Sequence, residues 1–312
     1  MASYEKFNYI IRPAKQVERK LLVEGLHKLG AGGFSIRDYR YIGFGSPFYA
    51  DFVLFHKYLY IEDMLCVEHD PIRQRMMFNK PFPKVELHMG EISEVISTVD
   101  REKRHIVWLD YDYPLVESVL NDAEGFASTL APGSIFMVTV EADPRLFETS
   151  DLPDELKEGI RIHRYKKVNA QVGRYIDGGV KKNQITMASL PTLYATVLAN
   201  HLHDALLIRQ LQFIPLFNFV YADGRQMLTI GGMFGTAAHR RDVKRSGLYS
   251  LPFITEKLKP ISVTVPPLTM RERLWLDQHP ASPSKHFEVT PDVVRHYRKY
   301  YRHYPNYFEA LF

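Results

Sequence analysis

Five short apolar runs, at residues 39–44, 64–68, 84–88, 105–110 and 134–141, alternate with stretches of helical periodicity at 47–59, 71–79, 92–99 and 114–129. This alternation constrains the fold more than any other feature of the chain. A strand–helix–strand unit returns the chain to the end of the sheet where it started, so the strands lie parallel and helices cover both faces. The pattern breaks after residue 142. A polar insertion at 143–189 comes first, then a helical stretch at 190–207, then two apolar runs within 211–234 that flank the tetrapeptide ADGR. Asp-Gly between two such runs is a strong hairpin signal.

The expected fold is therefore a Rossmann-like α/β domain at 39–235. It has a seven-stranded, mostly parallel sheet, a closing antiparallel hairpin and helices on both faces. A dinucleotide-binding domain would end on another parallel strand instead, which sets aside a nicotinamide-dependent oxidoreductase. Residues 1–38 read as an N-terminal helical segment, with Val17, Leu21, Leu22, Leu26 and Leu29 forming an apolar stripe that GAGG (30–33) stops. Residues 236–312 read as a helical extension, in which Val294, Tyr297, Tyr301, Tyr304 and Phe308 form a docking face at three- and four-residue steps.

Composition narrows the class. Hydrophobic residues make up 46% and charged residues 24%, as in an ordinary globular protein. No apolar run approaches the length of a membrane span. The first residues lack the pattern of a secretory signal, and Cys66, the single cysteine, excludes an internal disulfide or a cysteine metal cluster. The expectation is a cytoplasmic protein with no metal and no membrane partner. A net charge of +4 permits a nucleic-acid or phosphate partner without demanding one.

In open parallel sheets ligands bind at the carboxyl ends of the strands. The first strand ends in YIGFGS, where Gly43 and Gly45 let backbone approach a ligand closely; no third glycine follows. Ser46 and Pro47 suit a helix start. The second strand ends in Glu68, 23 residues after Gly45, where a carboxylate would accept hydrogen bonds from two ribose hydroxyls. Asp70-Pro71 reads better as a helix cap. The third strand ends in Gly90-Glu91, a place for an acceptor to an adenine amine or simply for an acid in a first helical turn. The fourth ends in Asp110-Tyr111-Asp112-Tyr113-Pro114. Two carboxylates two residues apart point the same way on an extended strand and can orient a nucleophile or take its proton. Asp112 has a second reading as the cap of a helix starting at Pro114.

A GxG turn, an acid, Gly-Glu and an Asp-rich end on four successive strands resemble class I S-adenosylmethionine-dependent methyltransferases. Within that class, the RPAK, YIGFGS, LDYD and YRHYP motifs resemble a group of bacterial O-methyltransferases. The resemblance implies S-adenosylmethionine held near Gly43, Phe44, Gly45, Glu68, His69, Gly90, Glu91, Asp110 and Tyr111, with Asp110 and Asp112 as the catalytic carboxylates. Tyr113 would then stack on a flat substrate.

Charge on the insertion points to the acceptor. Residues 161–182 carry seven basic residues, among them Lys166, Lys167 and Arg174, against Asp177. A basic flap leaving the fifth strand would overhang the site and favour a nucleic acid or a phosphorylated small molecule. The alternative is a flap that pairs with its own acidic half, residues 143–160. The expected function is methyl transfer to such an acceptor. The competing reading is a methyltransferase-like module without chemistry that binds nucleic acid or a partner protein.

Overall fold

Strands β1 (Arg40–Phe44), β2 (Met64–Glu68), β3 (Val85–Met89), β4 (His105–Pro114) and β5 (Ser134–Glu141) run parallel in a computed structural model of the protein. The structure describes residues 12–147, 157–176, 178–279 and 288–305. The hairpin expected around ADGR is present: β6 (Gln212–Asp223) turns at Gly224 into β7 (Arg225–Gly235), which pairs antiparallel with both β5 and β6. A three-residue strand, β8 (Ile261–Val263), adds parallel to β6 and brings the expected seven strands to eight. The sheet order is β3-β2-β1-β4-β5-β7-β6-β8. The order turns back on itself between β1 and β4, the switch point where open α/β sheets leave a crevice.

Side-chain alternation divides the core. Ile106 and Trp108 of β4 face one layer, together with α1 (Pro13–Gly30) and α2 (Ala50–Leu59). Val107 and Leu109 face the other, with α5 (Glu117–Thr129) and α7 (Leu190–Leu207). The helix α1 lies against β6. Its stripe Val17, Leu21, Leu22, Leu26 and Leu29 is fully buried. Its first turn lacks a local cap, and the carboxylate of Asp223 at the hairpin tip supplies one, accepting from the N–H of Ala14 (3.0 Å) and of Lys15 (2.9 Å). Asp223→Ala should therefore cost about 1–2 kcal/mol in urea unfolding, the loss typical of a helix cap. A change within a few tenths would mean that solvent caps α1 equally well.

Two short helices, α3 (Arg73–Asn79) and α4 (Ile92–Ile96), follow β2 and β3, and the insertion carries the longer α6 (Lys157–Val172). Beyond β7 come α8 (Ala237–Arg245), α9 (Met270–Gln278) and α10 (Pro291–Tyr300). The tail is part of the α1-side core, where Val294, Tyr297, Tyr300 and Tyr304 are buried. The inward tyrosine is Tyr300, which donates to Ser262 O of β8 at 2.6 Å, and Tyr301 is 36% exposed. A 3-10 turn after α10 shifts the helical spacing at this point; Phe308 lies outside the described residues. No helix among the described residues is long and apolar enough to cross a membrane.

The expected helix starts at prolines move. After Ser46-Pro47 the chain makes a turn and α2 begins at Ala50, with Tyr49 in the left-handed region at φ 46. After Asp70-Pro71, α3 begins at Arg73. After Pro114, α5 begins at Glu117. Neither Ser46, Asp70 nor Asp112 caps a helix.

Candidate functional site

The carboxyl ends of β1 to β4 open on a cleft of about 920 Å³. Phe44, Gly45, Glu68, His69, Gly90, Glu91, Asp110, Tyr111, Asp112 and Tyr113 all line it, so ten of the residues singled out from sequence come together in one place. Gly43 does not line it. A Cβ there would lie 2.3 Å from the Tyr41 hydroxyl, so this glycine makes room for a buried tyrosine. Gly45 does line the cleft, and its missing Cβ also lets β1 close on β2: a Cβ would sit 2.9 Å from both Cys66 Sγ and Met76 Cε.

Glu68 is 5% exposed. Its Oε1 accepts the Asp70 N–H at 2.9 Å, and burial raises its pKa above the ordinary carboxylate value. His69 stands over it with Nδ1 3.7 Å from Oε1, its side chain mostly exposed. Donor atoms of Glu68, His69 and Asp70 lie within 4.8 Å of one another. That spacing would admit a cation, but three adjacent residues on a turn can reach it without one. The turn after β3 is tied to β2 by Gly90 N–H donating to Glu68 O at 2.9 Å, which sets Glu91 on the rim.

Tyr111 faces the α5 layer, donates its hydroxyl to Asp122 Oδ2 at 2.6 Å and meets the Phe44 ring edge-on at 4.9 Å. Burial pushes both the Tyr111 phenol and the Asp122 carboxyl above their usual values. Tyr113 follows at 5.1 Å from Tyr111 and is 38% exposed. The strand stays paired through Pro114 opposite Glu141, with an irregularity after Asp110 that carries Asp112 out to the solvent side of the cleft.

Asp110 faces the opposite layer and meets residues that sequence reasoning missed. Its Oδ2 lies 2.9 Å from Nζ of Lys15, the lysine of the RPAK motif. Lys15 is fully buried. Its ammonium also reaches Glu18 Oε2 at 3.0 Å and the Tyr221 hydroxyl at 3.0 Å, and it sits 4.5 Å over the Trp108 ring. Behind it, Trp108 Nε1 donates to Thr139 Oγ1 (2.9 Å), Thr139 and Thr229 share a hydrogen bond (2.7 Å), and the Thr229 hydroxyl donates to Glu18. Burial raises the Glu18 carboxyl above its ordinary value, opposed chiefly by Lys15. One turn on, Arg19 lines the cleft and donates from Nε to Asp51 Oδ1 at 2.5 Å. Burial alone would lower its pKa, and the Asp51 charge more than reverses that. The only hint in the sequence was charge embedded in an apolar stripe: Lys15, Glu18 and Arg19 interleave with Ala14, Val17, Leu21 and Leu22.

Lys166, Lys167 and Arg174 are not among the residues lining the cleft. The two lysines are exposed on α6. Arg174 donates to the Tyr175 hydroxyl at 2.5 Å and pairs with Glu117, the residue before Ser118 on the cleft wall. The cleft lining is acidic among the described residues: Asp51, Glu68, Asp70, Glu91, Asp110, Asp112 and Asp122 face Arg19 as its one formal cation.

Beside the cleft, at the end of β5, Glu141 is 7% exposed. Burial pushes its carboxyl up to about 7, against the pull of Arg225 at 3.6 Å. Between the ordinary 4.5 and about 7 the folded chain thus binds more protons at this residue than the unfolded one, so stability falls as pH rises through that window. Glu141→Gln removes the titration. Its melting temperature relative to the parent should rise from about pH 5 to about pH 7.5. A pH-independent difference would mean that Glu141 is already ionised throughout.

The sequence profile of a family described as "Putative O-methyltransferase" matches residues 7–312. No curated protein matches the chain. Solved structures with a similar fold include the fibrillarin pre-rRNA processing protein of Methanococcus jannaschii, at 9% identity and a TM-score of 0.35 over 65% of this chain and 69% of that one. Trm1 of Pyrococcus horikoshii, in complex with S-adenosyl-L-methionine, gives 10% and 0.43 over 74% and 57%. An O-methyltransferase family protein of Burkholderia thailandensis gives 12% and 0.34 over 70% and 56%. For the last two, this chain spans less than two thirds of the other protein's length. The profile match, which takes in nearly the whole chain, is the finding that decides: the chain belongs to this family of the "Putative O-methyltransferase" description.

Proposed function

We propose that the cleft holds S-adenosylmethionine across the ends of β1 to β3 and that the methyl group passes to an acceptor presented at Asp110-Tyr111-Asp112-Tyr113. The observation that carries this reading is the convergence of Gly45, Glu68, Glu91 and Asp110 on one acidic cleft at the switch point of the sheet. The residues suit the cofactor. A cationic ligand is favoured by a lining of carboxylates, and Glu68 has one oxygen engaged by Asp70 N–H and a second to offer to ribose hydroxyls.

When bound, S-adenosylmethionine supplies a methyl group already activated by the sulfonium charge. The chain then has to align and to exclude water. Phe44 and Tyr111, locked by the bond to Asp122, form an apolar wall beside the reacting strand end. Asp110, fixed by Lys15, would orient the acceptor, and the exposed Asp112 would take its proton. An anionic or nucleic-acid acceptor would bring only its reacting group into so acidic a cleft. Its phosphates would lie outside, on Lys166, Lys167 and Arg174.

Calorimetry with S-adenosylmethionine and S-adenosylhomocysteine tests the cofactor. Failure of both to bind at high micromolar concentration would favour a module without chemistry. Transfer of radiolabelled methyl into the RNA, protein and small-molecule fractions of a cell extract tests the reaction. Asp110→Ala should abolish transfer with the fold intact, and full transfer would move the catalytic assignment elsewhere. If RNA is the labelled fraction, raising salt should weaken its binding, and replacing Lys166 and Lys167 by alanine should flatten that dependence.

A further inference from the structure

Lys15 of the N-terminal helix α1 and Asp110 of β4 are far apart in sequence, yet they meet at 2.9 Å. The ammonium lies within 3.0 Å of three oxygens, forming ion pairs with Asp110 Oδ2 (2.9 Å) and Glu18 Oε2 (3.0 Å) and donating a hydrogen bond to the Tyr221 hydroxyl (3.0 Å). The Trp108 face closes the fourth side. The backbone of Lys15 is held as well, because its own N–H is bound by Asp223. The first turn of α1 is thereby pinned where its lysine meets the end of β4. Glu18 is fully buried, whereas Asp110 keeps 21% of its side chain exposed and lines the cleft. A purely structural lysine would be neutralised by Glu18 alone. The second partner is the carboxylate at the reacting strand end.

We propose that Lys15 is a positioning residue that sets the charge Asp110 presents to the cleft, and so sets how strongly the site prefers a sulfonium to the neutral thioether left after transfer. The proposal rests on the methyltransferase reading above. Its physical logic concerns where stabilisation is useful. Positive charge on the sulfur declines as the methyl group leaves. An unopposed carboxylate beside it would stabilise the bound donor more than the transition state and so slow the reaction. An ammonium 2.9 Å from Asp110 offsets that field while leaving the carboxylate in place to orient an acceptor. When the ammonium is removed, Glu18 can take up a proton, since it is buried and Lys15 is what chiefly opposes its desolvation, whereas Asp110 remains partly exposed at the cleft.

The test uses binding and needs no acceptor. Dissociation constants for S-adenosylmethionine and S-adenosylhomocysteine are measured by calorimetry on the full chain and on Lys15→Met, Asp110→Asn and the double variant, with folding checked by circular dichroism. Asp110→Asn should lower the preference for the sulfonium about tenfold, the order expected for one charge in a partly screened site. Lys15→Met should raise it about threefold or more. The double variant should match Asp110→Asn within about twofold, because Lys15 acts through Asp110. A preference unchanged or lowered in folded Lys15→Met, or effects that add in the double variant, would overturn the proposal. Should Lys15→Met fail to fold, the near-isosteric Asp110→Asn still decides: an unchanged preference there leaves Lys15 nothing to act through. Failure of the parent protein to bind either ligand is a different result, and removes the methyltransferase reading itself.

Discussion

Glu68→Ala is expected to weaken S-adenosylhomocysteine binding about a hundredfold while leaving the melting temperature close to that of the parent. The expectation follows from one carboxylate with two tasks. Oε1 is taken by the Asp70 N–H, and the group is 5% exposed at the end of β2, facing the cleft. Two ribose hydroxyls donating to an ionised acceptor would each contribute about 1.5–3 kcal/mol, from which the desolvation of an already half-satisfied group subtracts. A net loss near 3 kcal/mol, about a hundredfold, is what remains. Glu68→Gln separates the two tasks, since an amide oxygen can still accept from Asp70 N–H but lacks the charge. It should hold the turn and still bind weakly. Burial raises the Glu68 carboxyl, so the parent's affinity should also fall on acidification earlier than a surface glutamate would dictate. An unchanged dissociation constant in Glu68→Ala would take Glu68 out of the cofactor site and move the cofactor elsewhere in the cleft.

How much of this was legible in the sequence depends on the range over which each signal acts. The strands Met64–Glu68 and Ser134–Glu141 and the helix Leu190–Leu207 have the boundaries their apolar patterns dictate, because a buried strand or a wide apolar stripe is encoded within its own residues. The hairpin at Asp223-Gly224 is equally local, with Gly224 at φ 105 as the turn requires. The helix starts were misplaced for an identifiable reason. Pro47, Pro71 and Pro114 suit a first helical position, yet each is followed by a turn before the helix begins. At Pro114 the strand continues because its neighbour β5 continues to Glu141, and no local signal reports a neighbour's length. The eighth strand escaped because three residues, Ile261–Val263, in a proline-rich stretch carry too short a pattern.

The candidate site divides in the same way. Strand ends could be found by counting strands, and the residues there meet in the cleft. The partners that fix them could not. Tyr111 is locked by Asp122 and Asp110 by Lys15, through contacts that exist only once α5 and α1 are packed on opposite faces of the sheet. Even Gly43, chosen as a glycine that a ligand approaches, proves to be one that the Tyr41 hydroxyl approaches. The absence of a Cβ is visible in a sequence, but what fills the space is not.

Lys15→Ala should lower stability by about 3–5 kcal/mol near pH 8, the usual result of removing one partner from a buried ion pair. Three losses combine. Glu18, with no exposure, loses the counter-charge that chiefly opposes its desolvation. The Tyr221 hydroxyl loses its 3.0 Å donor. The space over the Trp108 ring empties, whereas Lys15→Met would refill most of it, so methionine should cost less than alanine. The sign of the pH dependence follows from Glu18. Its folded pKa is already raised from an ordinary 4.5 by burial, and loss of Lys15 raises it further. A carboxyl raised in the folded state adds no penalty below its unfolded pKa and a growing one as pH rises toward its folded pKa. The deficit of Lys15→Ala should therefore be smaller at about pH 5 than at about pH 8, as measured by urea unfolding at both. A loss below about 1 kcal/mol at the higher pH would mean that water enters and replaces the ammonium. A larger loss at the lower pH would contradict this sign and remove Glu18 as the source of the deficit. Either result bears on function as well as on folding, because the lysine that closes α1 onto the sheet is the one that holds the carboxylate at the reacting strand end.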